Sequence, residues 1–319
     1  MQNPRVVVVG ASGFVGRYVV KHLAGEGAVI VAASRHGGAA GFLRPMGDVG
    51  QIAPVDCAIT DAGRLKVLLQ GADAVVNATG ILYERGAQRF RAIHEKAPAQ
   101  LASLARAAGV RRFVHLSALG ADAASPSAYG RSKAAGEAAV RAEFPHATVL
   151  RPSLIFGPED AFFNRFAALA RFAPALPLIG GGATRFQPVY VGDVAAAVAA
   201  ALRHEAALAR TYELGGPRIY TLKQLFELIL RETGRRRALI PLPFPVAMIQ
   251  ALVLEFSPFP PLLTRDQVRM LKRDTVVESG ASGLAELGIE PTALALILPG
   301  YLDRFRRSGA LIPTIHSVS

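Results

Sequence analysis

The chain has 319 residues, 51% of them hydrophobic, which suffices for one large core, alone or with a smaller lobe. Its formal net charge of +12 favours anionic partners such as a phosphorylated cofactor or an anionic membrane surface. A single cysteine, Cys57, excludes an internal disulfide, and the seven histidines form no cluster of ligand spacing, so we expect no metal site. The scattered arginines lack an accompanying stacking-aromatic motif, which argues against nucleic acid, and no apolar leader indicates a signal peptide.

The first element in chain order is a predicted strand that ends in a glycine-rich turn. Four valines at 6–9 precede GASGFVG at 10–16, and apolar residues at helical spacing follow. At such a turn, backbone N–H groups and the positive end of the helix dipole can hold a phosphate, provided that no Cβ blocks its approach. The order of strand, turn and helix predicts a dinucleotide-binding turn. The alternative is a tight turn that only packs the helix on the sheet.

Further strand-like runs alternate with helical patterns along the first half of the chain. The runs lie at 28–33, 74–76, 112–116 and 147–150, and the helical patterns include 97–108 and 132–143. This alternation predicts an α/β fold, a Rossmann-type, doubly wound parallel sheet in 1–150 that segments from 151–220 complete. Beyond it, segments rich in proline and glycine predict a smaller, partly interleaved C-terminal lobe over 151–319.

The segment 238–263 is the most apolar part of the chain. Its six prolines, at 241, 243, 245, 258, 260 and 261, confine any helix to the middle of the segment. Such a helix is too short for the roughly 20 residues that a membrane span needs. Two interpretations remain open, a docking surface for a membrane or a partner, and an ordinary helix packed on the core.

Ser34 and Arg35 follow the second predicted strand, about two dozen residues after Gly10, where an NAD-binding chain usually carries an acid. A carboxylate would repel a 2′-phosphate, whereas a serine hydroxyl can hydrogen-bond it and an arginine can pair with it. The pair therefore predicts NADP(H) over NAD(H). The alternative is a surface arginine without a ligand.

Tyr129 and Lys133 stand four residues apart in YGRSK, so they share one face of a helix. A nearby ammonium group favours the phenolate, so we expect Lys133 to lower the pKa of Tyr129 towards proton exchange. A chance pair on a solvated helix is the alternative. Asp193 stands just before an alanine-rich helix predicted to begin at Val194, and we expect it to cap that helix rather than to act as an acid.

Several motifs together resemble the extended or atypical short-chain dehydrogenase/reductase family. They are GASGFVG, NATG at 77–80, YGRSK at 129–133, RPSLIFGP at 151–158 and FQPVYVGDVA at 186–195. Within that family, LLTRDQVRMLKRDTVV at 262–277 and LGIEPTAL at 287–294 are similar to the NADPH-binding accessory subunits of respiratory complex I. The resemblance implies tightly bound NADPH and complex I subunits of the peripheral arm as partners. It also implies a peripheral position on the cytoplasmic face of the bacterial inner membrane, or on the matrix side in mitochondria.

The resemblance further implies which residues hold the cofactor. Gly10, Gly13 and Gly16 would cradle the pyrophosphate, Ser34 and Arg35 would face the 2′-phosphate, and Asp56 would face the adenine. Ala78 and Gly80 would lie beside the adenine ribose, Tyr129 and Lys133 would contact the nicotinamide ribose, and Pro152 and Ile155 would border the nicotinamide. The remaining expected cofactor contacts are Ser12, Phe14, Val15, Cys57 and Thr79.

The candidate catalytic residues implied by the family are Tyr129, Lys133 and Ser117. The run VHLSALGAD offers Ser117 and then Ala118, one residue short of the family's common spacing to Tyr129. A hydroxyl that caps its own backbone is the alternative for Ser117. This departure favours an accessory subunit without turnover of its own over an active NADPH-dependent reductase or epimerase that acts on a sugar nucleotide or a quinone-like substrate.

Overall fold

The computed structural model describes residues 3–257 and 261–306. Pro258 and Pro260 of the apolar segment, and 307–319 of the expected C-terminal lobe, lie outside the described residues. In chain order, the strands are β1 (Arg5–Val9), β2 (Val29–Ser34), β3 (Ile52–Asp56), β4 (Ala74–Asn77), β5 (Arg112–Leu116), β6 (Thr148–Pro152), β7 (Ile155–Phe156), β8 (Ala175–Ile179), β9 (Arg185–Phe186), β10 (Val189–Tyr190), β11 (Thr211–Leu214), β12 (Tyr220–Thr221) and β13 (Ala238–Leu242).

A seven-stranded sheet with the order β11-β6-β5-β4-β1-β2-β3 forms the centre of the described fold. Every neighbouring pair in it is parallel. The direction in which the sheet grows reverses between β1 and β4, and such a reversal opens the ligand crevice in doubly wound folds. The predicted fold class is therefore confirmed.

The valines of β1 are buried on both faces of the sheet. Val6 and Val8 belong to one core cluster, and Val7 and Val9 belong to the other. Helices cover both faces of a parallel sheet, so its central strands are apolar throughout rather than alternating. This explains why an unbroken run of valines forms the first strand.

Ten helices of the described chain surround these strands. They are α1 (Phe14–Gly25), α2 (Ala62–Leu68), α3 (Ala97–Ala107), α4 (Ala128–Glu143), α5 (Phe162–Phe172), α6 (Val191–Arg203), α7 (Leu222–Glu232), α8 (Phe244–Glu255), α9 (Arg265–Met270) and α10 (Leu294–Leu302). Helices α1 and α6 pack together on one face of the sheet, and α2, α3 and α4 pack on the other. A π-helical turn, Arg91–Lys96, leads into α3.

The C-terminal lobe is built from α5, α7 and α10 around an aromatic core that includes Phe156, Phe163 and Phe226. Beside this core, β8 and β13 form a two-stranded parallel sheet. Between β8 and β13 the chain returns to the central sheet as β11, after α6 has packed on α1. Segments between 151 and 220 therefore contribute both to the central sheet and to the aromatic core around Phe156 and Phe163.

The predicted helix cap at Asp193 is wrong. Helix α6 already begins at Val191 with Tyr190 as its N-cap, so Asp193 lies inside the first turn. Its carboxylate accepts hydrogen bonds from the backbone N–H of Thr292 at 2.7 Å and from the Thr292 hydroxyl at 2.8 Å. Burial is the main cause of the raised pKa of this carboxyl. Asp193 thus fixes a distant loop to α6.

Candidate functional site

The glycine-rich turn lies between β1 and α1 at the carboxyl edge of the sheet. Gly10 has φ +87°, and a Cβ there would lie 3.0 Å from the carbonyl group of Ala78. A Cβ at Gly16 would collide with the carbonyl oxygen of Gly10. The first turn of α1 contains no acidic residue. Its N-cap residue is Gly13, which has no side chain to accept a hydrogen bond from the N–H groups of that turn. Its free N–H groups can therefore donate hydrogen bonds to an anion such as a pyrophosphate.

The other expected residues of the turn are Ser12, Phe14 and Val15. The guanidinium of Arg17 donates to the carbonyl oxygen of Ser12 at 3.1 Å. Phe14 and Val15 form the first turn of α1, where a helix leaves its backbone N–H groups without intrahelical partners. These residues contribute backbone groups rather than charge to the candidate site.

Ser34 ends β2 next to the turn, and its side chain is buried. Its hydroxyl has no hydrogen-bond partner in the structure, and a buried polar group without a partner costs about 1–3 kcal/mol. The adjacent Arg35 is exposed and makes no ion pair within the described chain. A hydroxyl and a guanidinium are thus both available to a phosphate at this edge of the sheet.

Asp56 and Cys57 follow β3, which pairs with β2. The Asp56 carboxylate accepts a hydrogen bond from the backbone N–H of Gly37, and Arg64 donates to the Asp56 carbonyl at 2.7 Å. The Asp56 side chain therefore fixes the loop after β2. The Cys57 thiol is buried, and burial raises its pKa.

Thr79 follows β4, on the other side of β1. Its hydroxyl is buried and has no partner in the structure, as at Ser34. Its N–H donates to Asn77 at 3.1 Å, and the amide of Asn77 lies 3.1 Å from Nδ1 of His115. Ala78 is half-buried and Gly80 exposed beside it. Two unpartnered hydroxyls thus flank the glycine-rich turn, which fits a polyhydroxylated, phosphorylated ligand.

Tyr129 and Lys133 lie on α4, whose first turn Ser127 caps through Gly130 N–H at 2.9 Å. The expectation that Lys133 lowers the pKa of Tyr129 is wrong for this structure. Burial raises the pKa of Tyr129 to about 12. The ammonium of Lys133 instead donates to the Leu116 carbonyl at 2.8 Å, and burial lowers its own pKa to about 8.

Ser117 is buried in an ionic network. Its hydroxyl donates to the carboxylate of Glu137, which also receives two hydrogen bonds from Arg151 at 2.9 and 2.8 Å. A guanidinium nitrogen of Arg151 also lies 3.6 Å from a carboxylate oxygen of Glu213. The hydroxyl therefore does not cap its own backbone, because it donates to a long-range partner, and the catalytic role that the family implies for it stays a prediction.

Pro152 is the last residue of β6, and Ile155 is the first residue of β7. Pro152 is buried and its carbonyl accepts the N–H of Leu119 at 2.9 Å, while Ile155 is half-buried and pairs with Val189. Both lie beyond β5, on the same side of β1 as Tyr129. The expected cofactor residues on the central sheet therefore lie along its carboxyl edge, from Ser34 at the end of β2 past the turn to Pro152 at the end of β6.

His94, on the π-helical turn, was missed by the sequence analysis. Its Nε2 accepts the N–H of Ile81 at 3.0 Å, so Nδ1 carries the hydrogen and donates to Ser132 Oγ at 2.9 Å. Its ring lies edge-on to Tyr129 with 5.5 Å between centroids. Burial and the Lys133 charge lower its pKa to about 3. Gly136 on α4 is the available sequence signal, because a Cβ there would collide with the His94 carbonyl.

The apolar segment forms β13 and α8, and its helix is confined to the middle as the prolines predict. Ala247 and Ala251 pack against Val268. On the opposite face, Ile249 and Val253 are 66% and 67% exposed, and Phe256, just past the helix, is 82% exposed. One face of α8 is therefore buried against the rest of the chain, while the opposite face, here called the open face, is exposed to solvent. No described helix has the length and apolar character to cross a membrane.

The sequence model of the NAD dependent epimerase/dehydratase family matches residues 6–215, which include the turn, Ser34, Thr79 and α4. The chain belongs to this family, whose members use a nicotinamide dinucleotide. It is 36% identical over 313 residues to the Arabidopsis thaliana NADH dehydrogenase (ubiquinone) 1 alpha subcomplex subunit 9, mitochondrial, covering 95% of this chain and 78% of that protein. The Mus musculus protein of the same name is 37% identical over 307 residues, covering 94% and 80%. Within the broader family, the chain belongs with these subunits.

The fold is also shared with solved enzymes of low sequence identity. DesIV, the dTDP-glucose 4,6-dehydratase of Streptomyces venezuelae solved with NAD bound, gives a TM-score of 0.73 at 22% identity. That likeness covers 94% of this chain and 96% of DesIV. The resemblance inferred from the motifs is therefore confirmed at the level of family and fold.

Proposed function

We propose that this chain is an NADPH-binding accessory subunit of respiratory complex I, the NADH:ubiquinone oxidoreductase. The observation that carries the proposal is the similarity to two mitochondrial NADH dehydrogenase subunits, which extends over 94% to 95% of this chain. It includes the C-terminal lobe beyond residue 215, where the match to the broader family ends. A subunit role therefore explains a larger part of the sequence than an epimerase role does.

NADPH is supported over NADH by the groups at the end of β2. The unpartnered Ser34 hydroxyl and the exposed Arg35 guanidinium would hold the 2′-phosphate, and the turn at Gly10, Gly13 and Gly16 would hold the pyrophosphate. Bound NADPH supplies a hydride donor. The chain's own residues would bind and orient it along the sheet edge.

A resident ligand is supported over turnover by the state of the candidate catalytic groups. Ser117 donates to Glu137, and the Lys133 ammonium is occupied by a backbone carbonyl. The raised pKa of Tyr129 makes its phenol a weaker acid, and therefore a poorer proton donor, than an ordinary tyrosine. A reductase or epimerase in which Tyr129 is the proton donor is the alternative that these contacts disfavour.

The open face of α8 is the proposed docking surface, defined by Ile249, Val253 and Phe256. Side chains of this size, exposed at helical spacing on one face, lose solvent contact when a partner covers them. Complex I subunits of the peripheral arm, close to the membrane, are the proposed partners, with the anionic membrane surface adjacent. The position is then the cytoplasmic side of a bacterial inner membrane, or the matrix side in mitochondria.

The test replaces Ile249 and Val253 together by aspartate and follows the chain through gentle purification of complex I. We expect the affinity for the complex to fall at least about thirtyfold, while bound NADPH is retained. Val67→Asp is the matched control, since Val67 is 63% exposed on α2 and lies outside the docking surface. Unchanged association of the double variant, or a wild-type chain that never accompanies complex I, would overturn the proposal.

A further inference from the structure

The segment 264–278, here called the strap, runs from the C-terminal lobe across the nicotinamide end of the candidate site. Its Thr275 carbonyl accepts Ser153 Oγ at 2.7 Å, just beyond β6. Arg273 pairs with Asp122 at 2.6 Å, in the loop that leads into α4. The strap therefore contacts both the end of β6 and the approach to Tyr129.

The most direct of these contacts is Asp266 at the start of α4. One carboxylate oxygen accepts the N–H of Ala128 at 2.7 Å, and the other accepts the N–H of Tyr129 at 2.9 Å. These are among the N–H groups that a helix leaves without intrahelical partners. A negative charge at this end of the helix also interacts favourably with the helix dipole. Asp266 thus holds the backbone of Tyr129 from outside the Rossmann lobe.

Asp266 is itself held firmly. Its side chain is only 15% exposed, and α9 begins with a capping box between Thr264 and Gln267. Val268 on the same helix packs against Ala247 and Ala251 of α8. The carboxylate is therefore a fixed point against which the first turn of α4 is placed.

We propose that Asp266 is a positioning residue for the nicotinamide half of the dinucleotide, and that the strap sets how slowly the dinucleotide is released. The inference rests on the proposed dinucleotide binding. Without Asp266, the first turn of α4 frays and Tyr129 spends less time where it contacts the nicotinamide ribose, which weakens binding in proportion. The adenine half is held at β1, β2 and β3, to which the strap makes no hydrogen bond within the described chain.

The experiment measures NADPH release from the loaded full chain and, separately, the affinity for adenosine 2′,5′-bisphosphate, which carries only the adenine half. We expect Asp266→Asn to speed NADPH release about fivefold, the effect of losing one helix cap, with the affinity for the bisphosphate unchanged. Asp303→Asn is the matched control. Its exposed carboxylate pairs with Arg306, outside the strap, and we expect release at the wild-type rate.

Arg273→Gln is the second variant, because its ion pair lies at the surface and its loss leaves the core intact. It should speed release in the same direction as Asp266→Asn. Wild-type release rates in both variants would overturn the inference, and so would an equal loss of affinity for NADPH and for the bisphosphate. A wild-type chain that binds neither ligand would instead overturn the proposed function itself.

Discussion

His94→Gln isolates the contribution of one buried imidazole to the pH dependence of stability. Glutamine keeps a donor and an acceptor but cannot take up a proton. In the folded chain the pKa of His94 is lowered from 6.5 to about 3, first by burial and then by Lys133. Below pH 6.5 the unfolded chain therefore binds a proton that the folded chain does not. The free energy of unfolding must fall as the pH falls through that window.

The size of the effect depends on the ordinary histidine pKa of 6.5, because pH 5 still lies above the pKa of His94 in the folded chain. Between pH 8 and pH 5 this one site lowers the free energy of unfolding by about 2 kcal/mol, at 1.36 kcal/mol per pH unit below 6.5. Urea unfolding at the two pH values measures it. The buried His115 is present in both proteins, so its contribution cancels in the comparison.

Between pH 8 and pH 5, we expect the free energy of unfolding of His94→Gln to fall by about 2 kcal/mol less than that of wild type. Most of this difference should appear below pH 6.5. The exposed His36→Gln should follow wild type and serves as the control. Equal losses in His94→Gln and wild type would refute the reasoning, since they would mean that His94 is protonated in the folded chain.

The remaining predictions concern the dinucleotide. Gly16→Ala should lower the free energy of unfolding by about 1–3 kcal/mol and abolish stabilisation by NADPH in thermal melts, because the added Cβ collides with the Gly10 carbonyl. Gly25→Ala, in the same helix with open space around it, should be neutral or stabilising, and equal effects would contradict the packing argument. Arg35→Glu should weaken NADPH binding at least about tenfold and leave NADH unchanged in direct titrations. Lys66→Glu, an exposed charge reversal on α2, controls for net charge, and equal losses for both nucleotides would contradict the assignment.

The sequence predicted those parts of the site that depend on neighbouring residues. The run at 5–9, the turn at 10–16 and the Tyr129–Lys133 spacing are local, so strand, turn and helix follow from short-range preferences. The turn lies at the reversal of the sheet as the predicted order of elements requires. Local patterns therefore predicted the fold class and the place of the glycine-rich turn within it.

Partners distant in sequence could not be predicted in this way. Ser117 donates a hydrogen bond to a carboxylate on α4, 20 residues later in the sequence. Asp193 accepts a hydrogen bond from Thr292, 99 residues away. Asp266 reaches α4 across 137 and 138 positions. Each of these side chains has an ordinary local role that a long-range hydrogen bond displaces, and no periodicity or capping rule reports such a bond.

Mass spectrometry of complex I purified under gentle conditions, with quantification of this chain and of bound nucleotide, is the decisive experiment for an NADPH-holding accessory subunit. We expect the chain in amounts equimolar with the complex, carrying NADPH that stays reduced during incubation with quinones and sugar nucleotides. A complex that lacks the chain, or nucleotide that is consumed with any of these substrates, would contradict this expectation.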